Sequence, residues 1–195
     1  NATFEIPTEP IRVDPGGGGD AQFGVRSTGR LSGTWTLDVD STYLPSGWTW
    51  VDETPGGISS IEIGVGQVWT PSLRIIAPSD ALGSDAGFLD LTLSRDGGDE
   101  EISANLPVEA NRTRGLSIRG PDGTAQSTGY GLISEDARAW LLIENVGNAE
   151  ESQIAISWDG TEWGSDLRIF DSSGYEISAL TLGPGEEREV TVRLP

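Results

Sequence analysis

The 195-residue chain carries 12 basic residues, all of them Arg, against 31 carboxylates, for a formal net charge of −19, and it contains no Cys, His or Met. Without Cys and His it cannot build a zinc site from the usual ligands, a thiolate nucleophile, a Ser-His-Asp triad or an imidazole base. The acidic excess argues against nucleic-acid binding, because each phosphate contact needs a local positive charge.

A hydrophobic content of 35% with 27 Gly and 11 Pro lies in the globular range. No run of about 20 apolar residues is present to cross a membrane as a helix, and the N-terminus lacks the basic and apolar regions of a signal peptide. Residue 1 is Asn, so the chain is expected to be a processed form or an excised segment of something longer. Abundant carboxylates with Arg in place of Lys are a halophile-like combination. Self-repulsion of this charge is screened over about 8 Å at 0.15 M salt and about 3 Å at 1 M, so thermal stability is expected to rise towards molar NaCl.

Along the chain, short runs alternate apolar and polar residues, the period of strands. After a turn at Asp14-Pro15-Gly16, residues 15–20 (PGGGGD) lack the Gly-Lys-Ser/Thr ending of a phosphate loop and are expected to form a flexible loop. Trp35, Leu37 and Val39 share one phase, as do Ile61 and Ile63, then Leu89, Leu91 and Leu93, then Ile154, Ile156 and Trp158. Turn signals at 55–57, 96–99, 121–123 and 159–160 separate these runs. No helical period is evident, and the spacing predicts β-sandwiches.

The chain also repeats itself. Residues 23–29 (FGVRSTG) match 141–147 (LLIENVG) at an offset of 118; 48–52 (WTWVD) match 167–171 (LRIFD) at 119; 61–67 (IEIGVGQ) match 180–186 (LTLGPGE) at 119; and 73–78 (LRIIAP) match 190–195 (VTVRLP) at 117. Near-constant offsets over four segments predict two copies of one sandwich in tandem, at 1–110 and 111–195, with a short linker near 110–114. Nothing in the second copy matches the strands at about 86–94 and 100–109. It is therefore expected to be incomplete, either because the parent continues or because another chain donates a strand.

Several segments carry a family resemblance. Residues 44–48 (LPSGW), 64–67 (GVGQ) and 77–83 (APSDALG) resemble the "P-x-G-W", "x-P-G-x" and "v-P-x-x-A-x-x-G" motifs of the Ig-like domain associated with bacterial α-galactosidases. Residues 144–148 (ENVGN) and 182–186 (LGPGE) resemble the "x-N-x-G-N" and "L-x-P-G-E" of CARDB-like cell-adhesion domains of prokaryotic surface proteins. Copy one departs from the pattern at Ser27-Thr28-Gly29, where Asn is usual, and at Val65, where Pro is usual, while copy two lacks the "G-W". The resemblance implies an Ig-like fold and a role as spacer, stalk or adhesion module, with no catalytic residues to carry over.

Three candidate constellations remain. Of the seven Trp, Trp35, Trp48, Trp50 and Trp158 fall in core phase. Trp163, in the loop with Asp159 and Glu162, is the candidate for glycan stacking. Acidic clusters are expected in so acidic a chain as a solvated surface; the candidate Ca²⁺ ligands are Asp96, Asp99, Glu100 and Glu101, with no EF-hand spacing. Asn1 and Asn111 head glycosylation sequons. The reading is an all-β, non-enzymatic chain without obligatory cofactor, an extracellular or cell-surface structural segment such as a stalk, S-layer or filament building block. Its expected partners are other domains of the same protein or neighbouring copies. The alternatives are an adhesion or carbohydrate-binding module and an accessory domain of a secreted hydrolase.

Overall fold

The computed structural model describes residues 1–30, 32–120, 138–157 and 168–193. Every helix or strand among them is a strand, and the fold is all-β and immunoglobulin-like. The chain divides into two compact units, Asn1–Asn111 and Arg112–Pro195.

The first unit is built from β1 (Ala2–Glu5), β2 (Ile11–Val13), β3 (Gly18–Ala21), β4 (Gly24–Ser27), β5 (Gly33–Asp40), β6 (Thr49–Asp52), β7 (Ile61–Ile63), β8 (Val68–Trp69), β9 (Leu73–Ile76), β10 (Ala86–Arg95) and β11 (Glu101–Ala110). One face is the sheet β2-β11-β10-β5-β7, and the other is made of β1-β4-β8 and β3-β9-β6. Strand alternation sends one set of side chains inward. Leu89, Leu91 and Leu93 of β10, Leu106 and Val108 of β11, and Trp35 and Leu37 of β5 meet Val25, Leu73, Ile75 and Trp48 in one buried cluster. Trp50 packs against it, partly buried.

Of the loop expected from composition over residues 15–20, only 15–17 form a turn, and 18–20 belong to a strand. The turn closes through Gly17 N–H donating to Asp14 O at 2.8 Å, and Gly18, Gly19 and Asp20 then enter β3, paired with Ile76, Ile75 and Arg74 of β9. The glycines serve close approach. A Cβ on Gly18 would lie 2.5 Å from Arg74 Nε, and one on Gly19 would lie 2.9 Å from Val13 Cγ2. Packing against neighbours here outweighs the entropy cost of ordering Gly in a strand.

The second unit is built from β12 (Leu116–Arg119), β13 (Arg138–Asn145), β14 (Glu151–Ala155), β15 (Arg168–Asp171), β16 (Ala179–Leu182) and β17 (Glu187–Arg193), in the sheets β12-β13-β17-β15 and β14-β16. Its pairings reproduce those of the first unit. Val25↔Trp69 and Arg26↔Val68 become Ile143↔Arg188 and Glu144↔Glu187 at offsets of 118 and 119. Trp35↔Ile61 becomes Ile154↔Leu180 at 119 for both partners. The first unit's two ladders β4·β8 and β3·β9 correspond to one continuous ladder β13·β17. Among the described residues, β10 and β11 have no counterpart. The buried cluster of the second unit is Ile143, Leu180, Leu182 and Val190, with Leu141, Ile154, Ile156, Ile169 and Ile177 partly covered.

Candidate functional site

The acidic hairpin between β10 and β11 turns through Arg95 N–H to Glu100 O at 3.0 Å and Gly98 N–H to Arg95 O at 3.3 Å. Its carboxylates face different partners. Asp96 Oδ1 accepts the Thr36 hydroxyl at 3.3 Å, while Glu100 faces the Arg95 guanidinium at 3.8 Å. Asp99 and Glu101 are exposed. Among the described residues, no group of three or more His, Cys, Asp or Glu side chains could hold a metal ion.

Asp159, Glu162 and Trp163 lie outside the described residues, as does Trp158. The exposed aromatics that are described stand elsewhere. Tyr43 is 54% exposed and stacks on Phe88 at 4.7 Å between ring centroids, while Trp140 and Tyr175 are exposed in the second unit. Trp140 could have been found from phase, because it alternates with the inward Leu141 and Ile143 in β13.

Asn1 is exposed, and its carbonyl accepts the N–H groups of Thr28 at 2.8 Å and Gly29 at 2.9 Å. Asn111 is half-buried. Its Nδ2 donates to Asp14 Oδ1 at 2.7 Å and its N–H to Val13 O at 2.8 Å. Thr113 of the same sequon donates its N–H to Asn148 Oδ1 at 2.7 Å.

The family-like motifs are structural joints. Residues 64–67 and 183–186 form the same turn: Gln67 N–H donates to Gly64 O at 3.1 Å and Glu186 N–H to Gly183 O at 3.0 Å. The third residue of each turn is Gly at φ +72° or +68°, the left-handed conformation that favours Gly, with Val65 or Pro184 before it. In each, the fourth side chain reaches back to the first N–H: Gly64 donates to Gln67 Oε1 at 3.1 Å, and Gly183 donates to Glu186 Oε2 at 2.8 Å. That backbone donor, helped by Arg188, lowers the Glu186 pKa below the ordinary glutamate value.

Among the described residues, two polar side chains are buried, Ser27 and Asn145, and the repeat makes them equivalent. Asn145 Nδ2 donates to Ala149 O at 2.7 Å and Leu182 O at 3.0 Å, and its Oδ1 accepts Gly147 N–H at 2.9 Å. This amide ties the end of β13 to its following loop and to β16. The neighbouring ion pair is reversed between units. Arg26 on β4 meets Glu5 on β1 at 2.5 Å, whereas Glu144 on β13 meets Arg119 on β12 at 2.8 Å. Arg119 also bonds Glu187.

No protein-family model and no curated protein matches the chain. Solved structures similar to it include a protein of unknown function from Porphyromonas gingivalis W83, at 13% identity and a TM-score of 0.40, over 99% of this chain and 82% of that one. The secreted serine protease VesC from Vibrio cholerae is similar at 10% identity and a TM-score of 0.42, over 99% of this chain and 46% of that one. The CupB2 chaperone of Pseudomonas aeruginosa is similar at 10% identity and a TM-score of 0.31, over 93% and 84%. All three scores lie below 0.5, and the functional reading rests on this chain's own residues.

Proposed function

We propose that the chain is a non-catalytic structural segment of an extracellular or cell-surface protein of a salt-adapted prokaryote, a stalk, S-layer or filament building block. The observation that carries this reading is the repetition of one pairing scheme in two adjacent units, whose motif residues are spent on turns and joints. A charge of −19 supplies a solvated coat suited to saline surroundings, and the resemblance to α-galactosidase-associated and CARDB-like domains points the same way. Thermal unfolding across a NaCl series tests the salt adaptation: the melting temperature is expected to rise from low to molar salt, and a flat or falling one would remove that part of the reading.

A second reading, an adhesion or carbohydrate-binding module, draws on the half-exposed Tyr43 stacked on Phe88, since aromatic faces stack on sugars. A glycan array separates the two. The structural reading expects no saturable binding, whereas binding that Tyr43→Ala abolishes would establish the module.

A further inference from the structure

In the first unit, Tyr43 is fixed on Phe88 by its own loop. Asp40 Oδ1 accepts the Thr42 N–H at 2.8 Å, which turns the chain as it leaves β5, and Leu44 N–H donates to Ser41 O at 3.0 Å. Tyr43 O then accepts the Phe88 N–H of β10 at 3.4 Å. A Cβ on Gly87 would lie 2.3 Å from Tyr43 O, so only glycine lets the loop close on the strand. One ring face of Tyr43 lies against Phe88, with 19° between the ring planes, and its exposure leaves the other face to solvent.

Alternation sets what borders this platform. Leu89, Leu91 and Leu106 are buried, so Phe88 and Asp90 of β10 and Asn105 of β11 share the outer face of the five-stranded sheet. Phe88 and Asp90 stand about 7 Å apart along the strand. Asp90 is directly opposite Asn105 on one side and Asp40 on the other, at Cβ separations of about 5 Å. In the next row, Thr92 opposes Ser103 and Asp38. Neither row contains a cation, and Arg12, at the far side of the sheet, is spent on Glu109 at 2.5 Å. Opposed carboxylates cost stability, and hydroxyl donors placed between them offset that repulsion.

We propose, resting on the carbohydrate-binding reading above, that this face binds a neutral hexopyranose oligosaccharide. One sugar ring stacks its C–H face on Tyr43. The hydroxyl groups that follow along β10 donate to Asp90 and exchange hydrogen bonds with Asn105. The chemistry of the face defines the class. An open aromatic face takes an apolar ring face, which a pyranose with equatorial hydroxyls presents, while a carboxylate and an amide take uncharged hydroxyl groups. A uronate or sulfated sugar brings a further negative charge to Asp40 and Asp90, and no Arg stands in their row to receive it.

Titration of the 195-residue protein with cellotetraose and with its hexuronate counterpart, followed by amide NMR, tests the assignment. Cellotetraose is expected to saturate with shifts concentrated at Phe88, Asp90 and Asn105, and the hexuronate to leave those signals in place. Asp90→Ala removes one of two opposed carboxylates, so it should keep the fold and weaken cellotetraose about tenfold. Three results overturn the assignment: no saturable binding of cellotetraose, equal binding of the hexuronate, or undiminished binding by the Asp90→Ala chain. The glycan array separates this failure from that of the underlying reading. Tyr43-dependent binding of another glycan class leaves the carbohydrate-binding reading standing, and an array without binding removes both.

Discussion

The two units share turns and most ladder pairings, with a bulge in β14 that β5 lacks, but they differ in how far their cores are covered. In the first, the β10–β11 hairpin holds Leu89, Leu91, Leu93 and Leu106 at 0% exposure and buries both aromatic and aliphatic residues of β5. In the second, the same scheme without a described counterpart of that hairpin leaves β14 half-covered and β12 exposed on its core side. A shared set of turns and pairings therefore defines the sandwich, while a single hairpin accounts for much of its burial, the main favourable term in folding.

The largest expected effect sharpens that contrast. Leu91→Ala, in a fully covered position, should cost about 3 kcal/mol; Ile154→Ala, on the equivalent face of the open unit, should cost roughly 1 kcal/mol. Denaturant titration of each variant checks the difference, and equal losses would mean that β14 is as well covered as the first unit's core.

Next comes the buried amide. Asn145→Ala strands the Gly147 N–H and the carbonyls of Ala149 and Leu182, which should destabilise the second unit by about 2–3 kcal/mol. Ser27→Ala at the equivalent place should cost less than about 1 kcal/mol, since its hydroxyl serves no comparable joint. Unit-resolved thermal melts by NMR distinguish the two.

A smaller effect concerns the reversed ion pairs. Arg26→Glu places like charges at Glu5, and Arg26→Glu with Glu5→Arg should restore the pair in the second unit's orientation. A double-mutant cycle should give a coupling of about 0.5 kcal/mol for these exposed groups. The reversal also means that β1 placed against β13 would set Glu5 beside Glu144, which disfavours exchange of strands between the copies.

The smallest effect depends on pH. Gln67 and Glu186 accept the same backbone N–H, but only Glu186 titrates. Its pKa is lowered in the folded state, first by the Gly183 N–H and then by Arg188. The stability it contributes is therefore full above the ordinary glutamate pKa and is lost as pH falls through the folded value. Glu186→Gln should narrow the fall in melting temperature on acidification while keeping the turn, as Gln67 does. An unchanged acid profile would assign that fall to other carboxylates.

Much of this architecture was legible in the residues. Alternation at Trp35 and Leu37 and at Leu89, Leu91 and Leu93 marks inward faces, because a period of two has one physical meaning on a pleated strand. The G-V-G-Q and G-P-G-E segments read as turns because their third position needs positive φ. Residues 18–20 form a strand where composition predicts a flexible loop, since glycine's freedom says nothing about the buried Val13 side chain that requires its small size at position 19.

The role of Asn145 was equally hidden. A turn-forming Asn and a buried Asn with three hydrogen bonds look alike until β16 is brought against it. Asp96, Asp99, Glu100 and Glu101 are close in sequence, but the hairpin turn gives Asp96 and Glu100 different partners.

One sandwich scheme is present twice, closed by its hairpin in the first unit and, among the described residues, open at β14 in the second. Native-state hydrogen exchange compares the equivalent outward amides, Thr36 and Asp38 of β5 against Ala155 and Ser157, in the monomeric chain. The account predicts that the second pair exchanges at least about a hundredfold faster; equal protection of the two pairs would contradict it.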